Sequence, residues 1–202
     1  MSHGRSPTVP RITRDSLMTL EAYARKRADF RARVLEHKKP RSVAVGPHLT
    51  LLFEDELTIR YQIQEMLRIE KTFEEAGIQD ELDAYNPLVP DGTNWKATML
   101  IEYDDVDERR RALAELIGIE DRVYVQVAGQ ARVYAIADED LSRDTEEKTA
   151  SVHFLRFELA PAMIEALKRG AELAIGVDHP RYAYHVDPVP PGTRAALLAD
   201  LA

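Results

Sequence analysis

Two hydrophobic periods alternate along the chain. Apolar residues at helical intervals, such as Tyr23, Phe30 and Val34, predict amphipathic helices. Short runs rich in β-branched and aromatic residues predict strands. The helical pattern covers residues 17–36, 58–76, 80–85, 106–117, 161–169 and 193–201. The strand pattern covers residues 42–45, 48–53, 97–103, 122–128, 131–137, 151–159, 173–177 and 182–186.

Tight turns between successive strands indicate the fold class. Gly46-Pro47 and Gly129-Gln130 each separate two strand patterns and are typical of hairpins. A purely parallel sheet would need a crossover helix after every strand. We therefore predict an α+β fold, with an N-terminal helical layer packed on a mixed, mostly antiparallel sheet. Residues 1–11 are predicted to be a flexible tail and 12–202 a single domain, with a subdivision near residue 90 as the alternative.

Composition excludes several classes of chemistry. The chain has 202 residues and no cysteine, so disulfides, cysteine-ligated metals and thiol nucleophiles are ruled out. Its apolar runs are only a few residues long, so we expect no membrane span. The polar start of the chain does not resemble a secretory signal, and we expect a cytoplasmic protein.

Charge is unevenly distributed along the chain. The net charge is −8, yet residues 1–41 hold 11 Lys and Arg against 4 Asp and Glu. The basic start should attract the acidic remainder. A basic first helix could also bind nucleic acid, but the acidic remainder would neutralise it and repel phosphate. Nucleic acid is therefore not the expected partner and is kept only as an alternative.

Two charged residues interrupt apolar helical stripes. Arg27 lies between Tyr23 and Phe30, and Glu70 lies between Met66 and Phe73. A buried charge must be paired, so we predict that the two helices face each other and that Arg27 pairs with Glu70. Such a pair would either fix the helix register or form part of a ligand or metal site.

Further polar residues are predicted to line a cleft near these helices. Glu65 and Arg68 are three residues apart on one helix, and Glu81 and Tyr85 are four apart on the next. The full candidate ligand-binding set is Arg27, His48, Gln62, Glu65, Arg68, Glu70, Glu81, Tyr85 and Asn86. Candidate metal ligands, if a metal is bound, are His48, Glu65, Glu70 and His179. His153 alternates with Leu155 and Phe157 and is predicted to be a hydrogen-bonded core residue.

Several stretches resemble a bacterial family of conserved proteins of unknown function. They are DFRARV at 29–34, VGPHLTLLFE at 45–54, QIQEMLRIE at 62–70, EL at 81–82, YNPLVP at 85–90, LRF at 155–157 and DHP at 178–180. The resemblance implies genes near those of rubrerythrin-like proteins and of iron–sulfur proteins similar to heterodisulfide reductase subunits. It implies a role in peroxide or redox defence, and no catalytic residue.

Three functions follow as expectations. The first is a cytoplasmic accessory protein, with rubrerythrin-like and iron–sulfur redox proteins as partners, that binds a small anion, a metal or a partner segment in a polar cleft. The alternative is a metal-dependent enzyme with oxygen and nitrogen ligands. The second alternative is nucleic-acid binding through the first helix. Walker A, GxGxxG, GxSxG, HExxH and ExxH motifs are all missing, so the sequence defines neither a reaction nor a cofactor.

Overall fold

The computed structural model describes residues 11–202. Its first three helices come before most of the strands along the chain. The described α-helices are α1 (Leu20–Lys38), α2 (Glu56–Glu70), α3 (Glu75–Tyr85), α4 (Val106–Glu115), α5 (Pro161–Lys168) and α6 (Pro191–Leu198). The strands are β1 (Ser42–Ala44), β2 (Leu49–Glu54), β3 (Asn94–Ile101), β4 (Val123–Val127), β5 (Arg132–Tyr134), β6 (Ile136–Ala137), β7 (Val152–Glu158), β8 (Leu173–His179) and β9 (Tyr182–Val186). The predicted α+β fold with N-terminal helices is confirmed. The predicted tail lies outside the described residues except for Arg11.

The strands form two antiparallel sheets instead of one mixed sheet. Their orders are β1-β2-β3-β7-β6 and β5-β4-β8-β9. The strand predicted over residues 131–137 is in fact two short strands, one in each sheet. β5 pairs with β4 in the second sheet, and β6 pairs with β7 in the first. Ala135 is buried between these two short strands, where the chain passes from one sheet to the other.

A single hydrophobic core unites the two sheets. Alternate residues such as Leu51 and Met99 of the first sheet, and Val125 and Ile175 of the second, are fully buried and belong to one cluster. Trp95 extends this core to α6, because its indole Nε1 donates a hydrogen bond of 2.9 Å to the carbonyl of Leu197. The opposite side chains of the first sheet are left free to meet the helical layer.

The first three helices form that layer: α2 and α3 share a smaller core of their own, and α1 packs on α2 through a separate cluster around Tyr23 and Phe30. α2 ends at Glu70, earlier than predicted, because Lys71 takes a left-handed conformation with φ 55° and closes the helix. Gly77, which directly follows the predicted range 58–76, lies inside α3. A Cβ at Gly77 would come within 2.6 Å of the Thr72 side chain, so close packing explains the glycine. No helix within residues 11–202 is long and apolar enough to cross a membrane.

The turn between β1 and β2 contacts the second sheet. Gly46 has φ +78°, and a Cβ there would lie 2.6 Å from both the Tyr182 hydroxyl and the Tyr184 ring. The Tyr182 hydroxyl donates to the Val45 carbonyl at 2.7 Å and accepts from the His48 amide at 3.0 Å. Only glycine meets both the backbone and the space requirements of this contact.

A buried ion network connects the helical layer to the C-terminal helix. Arg41, which is 1% exposed, donates to the Asp200 carboxylate from Nη2 at 2.6 and 2.7 Å and from Nη1 at 3.1 Å. It also lies 3.2 Å from Asp55, the N-cap of α2, and Asp55 contacts His37 of α1 at 2.5 Å. The network therefore fixes α1, α2 and α6 to one another.

Candidate functional site

A cleft of about 740 Å³ opens between the helical layer and the first sheet. Its size is typical of a site for a small molecule. The apolar and aromatic part of the wall consists of Met66, Ala84, Tyr85, Pro87, Leu88, Phe154 and Leu155. The charged part consists of Glu81, Asp83, Lys96, Glu139, Asp140, Arg143 and Arg156. Of the predicted candidates, the structure places Glu81 and Tyr85 here.

Strand register places two of the cations side by side. Glu54, Lys96 and Arg156 are directly opposite one another on β2, β3 and β7. Because side chains alternate along a strand, all three project from the face opposite the main core. Glu54 is bonded to Thr98 at 2.7 Å and to the Thr58 hydroxyl, so its carboxylate is already occupied.

Lys96 is the uncommitted cation of the cleft. It is half-buried, and its ammonium group forms no ion pair or hydrogen bond with any residue between 11 and 202. Burial lowers the pKa of Lys96, and the neighbouring charge of Arg156 lowers it further, while the more distant carboxylates of Glu139, Asp91 and Glu158 oppose the change only in part. Both effects would be relieved by an anion bound beside the ammonium group.

The two arginines are already paired with carboxylates. Arg156 contacts Glu139 at 2.8 Å and Glu158 at 2.6 Å. Arg143 pairs with Asp140 at 2.6 Å, and this arginine holds the pKa of Asp140 near 2. Arg143 also stacks over Phe154, with its guanidinium carbon 4.7 Å from the ring centroid. These pairs hold the cleft wall in place but leave no guanidinium free for a ligand.

Glu81, on the opposite wall of the cleft, also has a shifted pKa. Burial raises the pKa of Glu81, and the negative charges of Glu70 and Asp80 raise it further. Glu81 is therefore easier to protonate than an exposed glutamate. The cleft thus faces a ligand with a free cation on the sheet and a carboxyl group on α3.

The prediction that Arg27 pairs with Glu70 is wrong, because its partner is Glu65. The helices do face each other, but Arg27 contacts Glu65, through Nε at 2.7 Å and Nη2 at 2.9 Å. Tyr23 donates to the same carboxylate at 2.7 Å, and Arg68 donates at 3.2 Å. Glu70 is one turn further along α2 and is exposed.

This arrangement holds Glu65 as an anion. Hydrogen bonding from Arg27 lowers the pKa of Glu65 to about 2, although partial burial opposes the change. Burial and the adjacent Glu65 carboxylate together raise the pKa of Tyr23. Both Glu65 oxygens are saturated by donors, so the geometry is that of a helix-pairing contact.

The remaining predicted residues are dispersed. His48 stacks on Tyr103 at 3.8 Å, beyond the far end of β3 from Lys96, roughly 20 Å away at the usual strand rise. Asn86 bonds both backbone groups of Ile12, at 2.9 and 3.0 Å, and fixes the N-terminal segment. Gln62 is half-buried on α2.

The candidate metal ligands named from the sequence do not converge in the part of the chain that the structure describes. His179 is buried at the end of β8, where its Nε2 contacts the Ile117 carbonyl at 3.2 Å. The potential metal-binding group found within residues 11–202 consists instead of Glu120, Asp144 and His153. His153 is buried and hydrogen-bonded, as its alternation with core residues predicted.

Sequence reasoning missed Lys96, Arg143 and Arg156. A signal was present for Arg156, a single basic residue between Leu155 and Phe157 in a predicted strand, whereas Lys96 lies one residue before the predicted strand 97–103. Arg143 carried no such signal, because it lies in a loop that composition alone marks as solvated.

Comparisons with known proteins agree on the fold. Residues 11–201 match a family model described as "Protein of unknown function (DUF3501)". The chain is also similar to a protein of unknown function from Burkholderia pseudomallei K96243, known from a crystal structure. The sequence identity is 62%, the TM-score is 0.88, and the match covers 96% of this chain and 100% of that chain. No curated protein matches the chain.

Proposed function

This chain belongs to the DUF3501 family of unknown function, and we propose that it is a binding protein for a small organic anion, which occupies the cleft beside Lys96. The observation that carries the proposal is the half-buried Lys96, which faces a cavity of about 740 Å³ and forms no direct ion pair with any carboxylate in residues 11–202, although Glu139, Asp91 and Glu158 act on it from a greater distance. A charge in this position is costly unless something pairs with it.

The cleft walls define the chemistry of the ligand. Lys96 would hold a carboxylate or phosphate group as a compact point charge. Tyr85, Leu88 and Phe154 offer apolar and aromatic surface for the body of the molecule. The acidic residues around Arg143 and Arg156 would repel a polyanion. A small molecule with a single anionic group and an apolar body therefore fits the cleft best.

The pH dependence of binding follows from the lysine. An anion binds to the protonated ammonium form, so affinity should fall as pH rises through the pKa of Lys96. Because that pKa lies below the ordinary lysine value of 10.5, the loss should begin at a lower pH than for an exposed lysine.

A fluorescent anion with an aromatic body, 8-anilinonaphthalene-1-sulfonate, provides a direct test. We expect wild-type protein to bind it and Lys96→Met to bind at least tenfold more weakly. Lys39→Met is the matched control, because Lys39 is exposed in a surface pair with Glu36. Equal affinity in wild type and Lys96→Met would reject the proposal, as would failure of the wild type to bind the probe or any member of a panel of small carboxylates and phosphates.

We further propose that ligand binding serves an accessory role in peroxide or redox defence in the cytoplasm, beside rubrerythrin-like and iron–sulfur proteins. The support is the family resemblance of the sequence. The test is complementation of a deletion strain, in which Lys96→Met should leave peroxide sensitivity uncorrected and Lys39→Met should correct it. Normal peroxide resistance in the deletion strain itself would contradict this role.

The metal-dependent enzyme remains the alternative function. Glu120 and His153 form the favoured metal-binding group, but each is at most 8% exposed. A catalytic metal needs a coordination position open to substrate. Burial therefore favours a structural role for any metal held there.

A further inference from the structure

A compact group of ionisable residues lies buried beside the β7 strand. Glu120 is in the short helix Ile119–Arg122, Asp144 is in the loop after β6, and His153 is on β7. One ligand atom from each lies within 4.8 Å of the other two. We call these three residues the Glu120 cluster.

We propose that the Glu120 cluster binds a divalent first-row transition metal, with Glu120, Asp144 and His153 as its protein ligands. A histidine nitrogen with two carboxylates suits such ions, and Zn²⁺ in particular. Bringing three atoms from this spacing to metal-bond distances needs side-chain movements of less than about 1 Å. This site is separate from the cleft, and neither proposal depends on the other.

The orientation of His153 supports metal binding. Its Nδ1 lies 2.6 Å from Asp138 Oδ2, and Asp138 is itself held by the Phe154 amide at 3.0 Å and by Arg143 at 3.0 Å. A carboxylate that accepts from one imidazole nitrogen leaves the other nitrogen available as a ligand. Here Nε2 is that nitrogen; it lies 2.8 Å from the Thr149 hydroxyl and 3.0 Å from the Ala150 carbonyl, and a bound metal would replace these two contacts.

An unpartnered oxygen provides independent evidence for a missing cation. Glu120 is 8% exposed, and its Oε2 is buried without a hydrogen-bond partner. A buried carboxylate oxygen in this state lacks the donor or cation that such groups require.

Asp144 is already positioned as a ligand. Its Oδ2 accepts from the Gly118 amide at 3.0 Å, and its Oδ1 accepts from the Thr149 hydroxyl. The backbone amide and the Thr149 hydroxyl fix the orientation of the carboxylate. The donor set therefore combines one nitrogen with two carboxylate oxygens, and the remaining position of a four-coordinate metal would be filled by a further ligand.

The site would also control a wall of the cleft. Asp138 and Asp144 belong to the same loop as Arg143, which lines the cleft. A metal that bridges Asp144 to His153 would tie the middle of this loop to β7, while Asp138 already ties its start to the same histidine. Metal loading should therefore protect the loop as a whole from hydrogen exchange.

Isothermal titration of chelator-treated, full-length protein tests the proposal. We expect one Zn²⁺ per chain, weaker binding of Mn²⁺, and no binding of Mg²⁺ or Ca²⁺, since a histidine ligand favours the later transition metals.

Matched variants separate the cluster from other buried groups. Glu120→Gln should weaken Zn²⁺ binding at least tenfold, whereas Glu54→Gln should not, although Glu54 is also 8% exposed. His153→Gln should likewise weaken binding, and His179→Gln, another buried histidine, should not. Unchanged affinity in folded Glu120→Gln would overturn the assignment.

Hydrogen exchange on wild-type protein gives a test that needs no variant to fold. Saturating Zn²⁺ should slow amide exchange at least tenfold in residues 118–120 and 138–153, and much less elsewhere. If Zn²⁺ does not bind, or protects a different region, the proposal fails. Glu120 and Asp144 would then be a carboxyl pair that shares a proton.

Discussion

Arg41 should be one of the most important single residues for stability. Replacing it with methionine removes a side chain that is 1% exposed and leaves Asp200 and Asp55 without their guanidinium partner. Breaking a buried pair from one side costs about 3–5 kcal/mol, because a charge stays buried without compensation. For a chain of this length, 4 kcal/mol corresponds to a loss of roughly 10 °C in melting temperature.

The effect should depend on pH with a defined sign. Burial raises the pKa of Asp200 to about 6, and the charge of Arg41 opposes that rise. Removing Arg41 raises this pKa further, so Asp200 binds a proton more tightly in the folded variant than in the folded wild type. The stability deficit of Arg41→Met should therefore be largest above the raised pKa of Asp200 in the variant and shrink as the pH falls to about 6, below which Asp200 is protonated in both folded proteins.

Urea unfolding followed by circular dichroism between pH 4 and 8 measures both effects. Lys39→Met is the control, because its exposed pair with Glu36 should contribute less than about 1 kcal/mol. Asp200→Asn in the Arg41→Met background should recover part of the loss, since it removes the unpaired charge. A deficit below about 1 kcal/mol, or one that does not vary with pH, would refute this account of the network.

Two further predictions concern the helix pair and the turn between β1 and β2. Glu65→Gln should lower the free energy of unfolding by about 1–2 kcal/mol at pH 7. The loss should shrink as the pH falls from about 4.5 toward 2, because wild-type Glu65 itself becomes protonated there. Glu70→Gln should change the urea midpoint little at any pH. Gly46→Ala should cost at least about 2 kcal/mol more than Gly129→Ala in thermal unfolding, since the two glycines have φ of +78° and +77° but only a Cβ at Gly46 meets neighbouring atoms. Equal losses in the two glycine variants would show that backbone conformation alone explains the glycine at 46.

Elements with a regular local pattern were predicted well. The strand Tyr182–Val186 matches its predicted range, and the helix Pro161–Lys168 ends one residue before the end of its predicted range, 161–169. In both, the period of apolar residues and nearby breakers such as Pro188 define the element locally. The end of α2 was missed, because Lys71 adopts a left-handed conformation without the glycine that usually marks such a cap.

The candidate site was predicted only in part. Glu81 and Tyr85 line the cleft because they are four residues apart on one helix, a relation visible in the sequence. Lys96 meets them only through the packing of α3 against the first sheet. Asp138 and Asp144 lie in a segment whose acidic composition is typical of a solvated loop, yet the Asp138 side chain is buried against His153. Acidic composition alone did not distinguish exposed from buried carboxylates.

The sequence by itself determined the fold class, most helices and strands, the absence of cysteine chemistry and the pairing of the first two helices. These properties depend on composition and on periods of a few residues, which a single chain displays directly. The tertiary structure alone decided that there are two sheets, that Arg27 meets Glu65, and which charges are buried. Those outcomes depend on strand order and register, which bring together residues far apart in the chain, such as Arg41 and Asp200.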